Sequence, residues 1–262
     1  DDGTGLWVDM LAFTGPDVEI LGSAGVMFDD PLNSTVQLNP LRFGRTDATL
    51  DYNKWDLTLT GSTFDWTLIE PLRNKGKNAP ENTDRSLPKL KDGTLTIALD
   101  TLHLPQAKIT GVDMHMQRVN GRWHEGTFNA VLPKGAPVAM GLGPLEGNGD
   151  VKRLNLSSPD AGSMFYAFGL YKNLRGGTLT GTIDLKQEHS PTRFSGSGRV
   201  FVDNARAVKA PVLVKLISLL WPTDALSEKE GILFENIEMP ITLQKEVVKV
   251  KEAVLNGPSL GL

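Results

Sequence analysis

The chain has 262 residues, of which 27 are Lys or Arg and 31 are Asp or Glu, so its formal net charge at pH 7 is −4. A mildly acidic chain lacks the basic surface that nucleic-acid binding needs, which argues against DNA- and RNA-binding proteins. The sequence contains no Cys, which excludes disulfide bonds, a Cys nucleophile and thiolate-bound zinc.

Alternation of apolar and polar residues dominates the chain and predicts β-strands. The segments are rich in Thr and Val and are bounded by Gly, Asn or Asp, as is typical of half-buried antiparallel strands, and we expect roughly 12 to 15 of them. The alternating apolar positions that we assign to one face are Leu57, Leu59, Leu95, Ile97, Leu99, Ile183, Leu185, Ile241 and Leu243. Two arrangements bury such a face: a long curled antiparallel sheet that forms a hydrophobic groove, or a closed β-sandwich. Composition does not decide between them.

A polar segment divides the chain. Residues 73–86 contain only Ala79 and Pro80 as apolar side chains, which predicts a surface loop. We therefore expect an N-terminal strand block over residues 1–72 and a longer β-region over residues 87–262. The dipeptides Asp92-Gly93, Asn120-Gly121 and Gly176-Gly177 predict turns between strands.

Two short helices interrupt the strand pattern. The first is predicted near residues 159–168, with Ser158 as its cap, Pro159 at its first position and Gly169 at its end. The second is predicted over residues 211–220, where Lys215 and Ser218 are the only polar side chains. Its apolar surface is wider than one contact covers, so we expect it to bind a membrane or a partner as well as the sheet. The residues assigned to this role are Leu213, Val214, Leu216, Ile217, Leu220 and Trp221.

The sequence offers no catalytic motif. It has no Gly-x-Ser-x-Gly elbow, and the spacing of His115 and His124 on neighbouring predicted strands matches no metal-ligand motif. We therefore predict a protein that is not an enzyme and that has no cofactor or catalytic metal.

The C-terminal part resembles the AsmA-like family. An acidic-x-Gly helix at residues 160–162 leads into Gly-Leu-Tyr-Lys-Asn-Leu-Arg-Gly-Gly at residues 169–177. Further matches are Gly-Ile-Leu-Phe-Glu-Asn-Ile at residues 231–237 and Gly-Pro-Ser-Leu-Gly-Leu at residues 257–262. Residues 43–47 are similar to the YhdP-like branch, and Trp-Pro-Thr-Asp at residues 221–224 departs from the family pattern. The likeness is strong over residues 150–262 and weaker over residues 1–72.

The resemblance implies a Gram-negative cell-envelope protein. Such a protein is anchored in the inner membrane by a helix outside this segment and shields phospholipid acyl chains in a periplasmic β-groove for transport to the outer membrane. The expected ligand is then the acyl chains of phospholipids. One alternative is a non-catalytic envelope or outer-membrane-protein assembly module that binds a partner protein through sheet edges or the apolar helix. Another is a carbohydrate-binding β-domain, for which the sequence provides few suitably spaced aromatic residues.

Overall fold

A computed structural model describes residues 5–68, 91–188, 193–208, 231–244 and 247–257. The chain divides into two compact units, Asp1–Ala130 and Val131–Leu262, which we call unit 1 and unit 2. The strands of unit 1 are β1 (Gly5–Gly15), β2 (Val18–Met27), β3 (Thr35–Phe43), β4 (Thr46–Asn53), β5 (Asp56–Asp65), β6 (Gly93–His103), β7 (Lys108–Val119) and β8 (Arg122–Val131), the last of which ends one residue past the division. Short 3-10 helices occupy Pro31–Asn33 and Trp66–Leu68.

Unit 2 contains the remaining strands and one α-helix. The strands are β9 (Pro137–Leu145), β10 (Asn148–Ser158), β11 (Leu174–Gln187), β12 (Phe194–Ala207), β13 (Ile232–Gln244), β14 (Val247–Val250) and β15 (Val254–Asn256). The helix α1 spans Ala161–Ala167, and a 3-10 helix spans Pro133–Gly135.

All fifteen described strands belong to one sheet. They follow each other in chain order from β1 to β14, and β15 pairs with β13. Because β1 and β14 end this order without pairing with each other, the sheet is not closed. The predicted mostly β protein with a long open sheet is confirmed, and the closed β-sandwich is wrong.

One strand pair departs from the predicted antiparallel pattern. β5 and β6 are parallel, with Leu57 opposite Leu95 and Leu59 opposite Ile97. A parallel pair needs a crossover connection rather than a tight hairpin, and residues 66–92 supply it. The predicted polar loop over residues 73–86 falls within this connection, outside the described residues.

The three predicted turn dipeptides have different outcomes. Asn120 and Gly121 have φ values of 53° and 70° and form the two-residue hairpin loop between β7 and β8. Gly176 and Gly177, with φ values of 61° and 83°, lie inside β11 instead and bend that strand. Gly93 is the first residue of β6 and follows no hairpin.

The first predicted helix is confirmed, but its start lies two residues later than expected. Asp160 is the cap, and its carboxylate accepts hydrogen bonds from the backbone N–H and the hydroxyl of Ser163 at 2.9 and 2.6 Å. Ser158 is the last residue of β10 and donates its hydroxyl to the Pro137 carbonyl at 2.9 Å instead. Gly169 follows the helix with a φ of 70°, as expected of a glycine stop.

The second predicted helix, residues 211–220, lies outside the described residues. Among the residues that the structure describes, no helix has the length and apolar character needed to cross a membrane.

Candidate functional site

The predicted apolar positions of unit 1 form a single surface. Residues opposite each other on neighbouring strands point to the same face of a sheet. The cross-strand rows on β5, β6 and β7 are Leu57–Leu95–Met116, Leu59–Ile97–Met114 and Gly61–Leu99–Val112. We call this surface the unit 1 apolar face. Leu50 and Tyr52 extend it onto β4, opposite Leu59 and Leu57.

Burial changes along the unit 1 apolar face. At one end Leu99 and Val112 are buried. Leu57, Leu95 and Ile97 are only half-buried, although they belong to the same rows of apolar side chains. No described helix or second sheet of unit 1 covers them, because all its described strands belong to the one sheet. The middle of the face is therefore accessible apolar surface.

The opposite face of unit 1 is polar. Arg42 on β3 donates to Glu19 at 2.8 Å and to Asp47 at 2.9 Å, and the bonds to Asp47 and then Glu19 raise the pKa of the guanidinium. The Thr96 hydroxyl lies 3.3 Å from Nδ1 of His115. The sheet of unit 1 is thus amphipathic, with one polar side and one apolar side.

An aromatic and cationic cluster lies where the half-buried rows end. Arg118 follows Met116 on the same side of β7 and pairs with Gly93 on β6. Its guanidinium carbon is 5.6 Å from the ring centre of Trp55 and 5.2 Å from that of Trp123, within cation–π range. Arg118 Nη2 also donates to the Trp55 carbonyl at 3.0 Å. We call Trp55, Arg118 and Trp123 the rim cluster.

Unit 2 carries a second apolar surface of the same kind. Its cross-strand rows are Leu142–Leu154–Ile183–Gly198–Ile241, Met140–Leu156–Gly181–Val200–Met239 and Leu185–Gly196–Leu243. We call it the unit 2 apolar face. Ile183, Leu185, Ile241 and Leu243 are half-buried on it.

Helix α1 closes one end of the unit 2 apolar face. Leu179 and Val202, on the strands that α1 contacts, are fully buried. The helix itself buries Met164 and Ala167. Gly162 lies directly against β11, where an added Cβ would be 2.6 Å from the Leu174 carbonyl oxygen. Glycine at this position is what lets the helix approach the strand so closely.

The outer side of unit 2 repeats the polar character seen in unit 1. Arg153 on β10 donates two hydrogen bonds to Asp184 on β11, at 2.7 and 2.8 Å. These bonds lower the pKa of the Asp184 carboxyl. Both side chains remain partly exposed, so the pair marks a solvated surface rather than a reaction centre.

One carboxylate of unit 1 is buried. The Asp65 side chain is 4% exposed and accepts hydrogen bonds from Arg45 at 2.7 Å and from the Thr67 hydroxyl at 2.6 Å. Burial alone would raise its pKa, but the bonds from Thr67 and Arg45 together lower it. Because its acceptor oxygens are satisfied, Asp65 forms a structural ion pair with Arg45.

All nine alternating positions predicted from the sequence lie on the two apolar faces. The sequence prediction missed Val112, Met114 and Met116, which alternate with Asp113 and His115 and follow the same period. It also missed the rim cluster, in which Trp55 is distant in sequence from Arg118 and Trp123. The predicted partner helix, which includes Leu213, Val214 and Trp221, lies outside the described residues.

The described residues contain no group of three or more His, Cys, Asp or Glu side chains placed to hold a metal ion. Comparison with known proteins gave no match to a protein-family model, a curated protein or a solved structure. The arrangement that the described residues present is two accessible apolar surfaces, each backed by a polar one.

Proposed function

We propose that this chain is a periplasmic portion of an AsmA-like envelope protein that shields phospholipid acyl chains during transport to the outer membrane. The observation that supports this proposal best is the pair of apolar faces. Their central side chains, such as Ile97 and Ile183, are half-buried although they lie in continuous rows of apolar neighbours.

The energetics favour an acyl chain as the ligand. Each methylene exposed to water costs about 0.8 kcal/mol, so a 16-carbon chain costs on the order of 12 kcal/mol to move through water. A surface of Leu, Ile and Met removes much of that cost without a directional contact. Such a surface holds the chain and still lets it slide, which suits transport better than storage.

The test is a photo-crosslinking residue at Ile97 or Ile183 in the full-length protein in cells, with adducts analysed by mass spectrometry. We expect phospholipid adducts at both positions. Thr96 and Thr182 are matched controls, because each is one residue away and faces the opposite side of the sheet. Equal labelling at paired positions, or none at either, would reject lipid shielding by these faces.

A second candidate function is an envelope assembly module that binds a partner protein. It is favoured by strand β1, which ends the sheet and exposes apolar side chains, with Met10 82% and Phe13 61% accessible. Among the described strands β1 pairs only with β2, and the other edge of such a strand is a template for strand addition. Crosslinking from Met10 separates the two functions, since a protein adduct supports assembly and a lipid adduct supports shielding.

A further inference from the structure

Two hydrogen-bond donors of the rim cluster, one on Arg118 and one on Trp55, have no acceptor. Nε of Arg118 and Nε1 of Trp55 are both buried without a hydrogen-bond partner. Trp55 as a whole is 8% exposed. Both atoms can only donate, so the cluster has spare donors and needs an acceptor. An unpaired buried donor destabilises a protein, so two in one cluster point to an acceptor that the described residues do not supply.

Among the residues that the structure describes, no carboxylate pairs with the Arg118 guanidinium of the cluster. Lys91 adds a second cation, with its Nζ 5.8 Å from the centre of the same Trp55 ring. Asp30 lies 3.5 Å from Lys91 and is the only carboxylate that the described part of the chain pairs with either cation. The aromatic rings displace water from the guanidinium, which strengthens its attraction for an anion.

The chemistry of the donors points to a phosphate. A guanidinium presents a planar fork of N–H donors that matches two phosphate oxygens, and arginine is favoured wherever such bidentate binding occurs. Nη2 of Arg118 is fixed by the Trp55 carbonyl, which holds the plane of the fork in place. The remaining donors are then oriented before a ligand arrives.

The position of Arg118 connects this anion to the apolar face. Met116, Met114 and Val112 precede Arg118 at every second position, so all four lie on the same side of β7. Two residues of a strand span about 6.6 Å, so the distance from Arg118 to Val112 is roughly 20 Å. Each leaflet of a bilayer is about 15 Å of hydrocarbon. A phospholipid with its phosphate at Arg118 therefore has room for its acyl chains along these rows.

We propose that the rim cluster binds the phosphate of a phospholipid headgroup, with Arg118 as the bidentate ligand and the acyl chains on the unit 1 apolar face. This inference rests on the proposed function, because the apolar face supplies the site for the chains. It adds a headgroup preference: lipids that carry a phosphate are held at this rim, and neutral lipids with the same chains are not.

The test compares three probes on the full chain. They are a short-chain phosphatidylglycerol below its micelle concentration, a diacylglycerol with the same acyl chains, and inorganic phosphate alone. The variants are Arg118→Met, Arg118→Lys, which keeps the charge but loses the fork, and Trp55→Phe, which keeps an aromatic ring but loses the Nε1 donor. Arg122→Gln is the matched control, because it removes a charge from the same hairpin at an exposed position.

We expect Arg118→Met to weaken phosphatidylglycerol binding about tenfold to a hundredfold, as expected for hydrogen bonds to a charged group. Arg118→Lys and Trp55→Phe should give smaller losses, and Arg122→Gln should bind as the unmodified chain does. Diacylglycerol binding should stay unchanged in all four variants. Unchanged diacylglycerol binding also shows that the unit 1 apolar face is still folded in each variant.

Other outcomes separate the two proposals. If Arg118→Met weakens both lipids equally, or neither, the headgroup site is wrong while shielding of acyl chains stands. If neither lipid binds the unmodified chain, the proposed function fails. Binding of inorganic phosphate that depends on Arg118 would in that case identify free phosphate as the ligand, and its absence would overturn the site as well.

Discussion

The apolar faces of unit 1 and unit 2 are built alike but end differently. In unit 2 the end is closed by α1, which seals Leu179 and Val202 from water. In unit 1 the half-buried rows end at the rim cluster, where Arg118 lies over two tryptophan rings. The unit 2 apolar face thus ends at a helix, and the unit 1 apolar face ends at a cationic cluster.

The polar groups at the two ends differ in how well they are satisfied. At α1, Asp160 accepts two hydrogen bonds from Ser163, and Ser158 bonds both Pro137 and the Asp160 N–H. In the rim cluster, two buried donors have no acceptor. A saturated network stabilises the fold and has nothing left to bind, whereas unsatisfied donors retain binding capacity. The helix end is therefore structural, and the rim cluster is the place where we propose that a polar ligand binds.

The first prediction concerns the buried and half-buried parts of the unit 2 apolar face, which should differ in how well they tolerate a charge. Leu179 and Ile183 lie on the same side of β11, but Leu179 is fully buried and Ile183 is half-buried. We expect Leu179→Asp to cost more than about 4 kcal/mol, because the carboxylate is forced away from water. Ile183→Asp should cost about 1 to 2 kcal/mol, since its carboxylate reaches solvent and only apolar contacts are lost.

Urea unfolding followed by circular dichroism measures both variants. Thr180→Asp is the control, because Thr180 is exposed on the opposite side of the same strand, and its cost should stay within about 0.5 kcal/mol. An equal cost for Leu179→Asp and Ile183→Asp would mean that the whole face is an ordinary closed core.

The next effect concerns the seating of α1. Gly162→Ala improves helix propensity by up to about 1 kcal/mol, but the new Cβ would lie 2.6 Å from the Leu174 carbonyl oxygen. We expect the clash to dominate and the variant to be destabilised by about 1 to 3 kcal/mol. Gly143→Ala is the comparison, because nothing lies within 4 Å of a Cβ added there. A stabilised Gly162→Ala variant in thermal unfolding would show that α1 does not seal the face as tightly as described.

The period of two was enough to predict the sheet and the side that each alternating residue faces. Leu57, Leu95 and Ile97 share a face because register follows from alternation once a strand pairs with its neighbour. The parallel pairing of β5 with β6 was not predictable in this way, because alternation within a strand does not determine the direction in which two strands pair. The start of α1 was misplaced because Ser158 and Asp160 are both good caps, and only the pairing of β10 assigns Ser158 to a strand.

The rim cluster shows where alternation stops being informative. Trp55 and Arg118 are brought together by the β5–β6 pairing, which the sequence does not reveal. The position of Trp123 near Arg118 could have been predicted, since the Asn120-Gly121 hairpin places β8 beside β7. Neither arginine nor tryptophan marks a site by itself, so only their contact distances identify the cluster.

The last prediction compares two carboxylates that differ in exposure, one in unit 1 and one in unit 2. In unit 1 the Asp65 side chain is 4% exposed, and in unit 2 that of Asp184 is 37% exposed; both have a lowered pKa. A carboxyl whose pKa is lower in the folded state stabilises the fold above its unfolded pKa of about 3.9, and that stabilisation is lost as the pH falls through the folded pKa.

Asp65→Asn should therefore cost about 1 to 3 kcal/mol at pH 7 and progressively less below pH 4. Asp184→Asn should follow the same pH dependence with a smaller amplitude, because solvent screens the Arg153 pair. Urea unfolding of both variants from pH 7 to pH 2 measures this difference, and a cost of Asp65→Asn that does not change with pH would show that the Asp65 carboxylate contributes packing rather than charge.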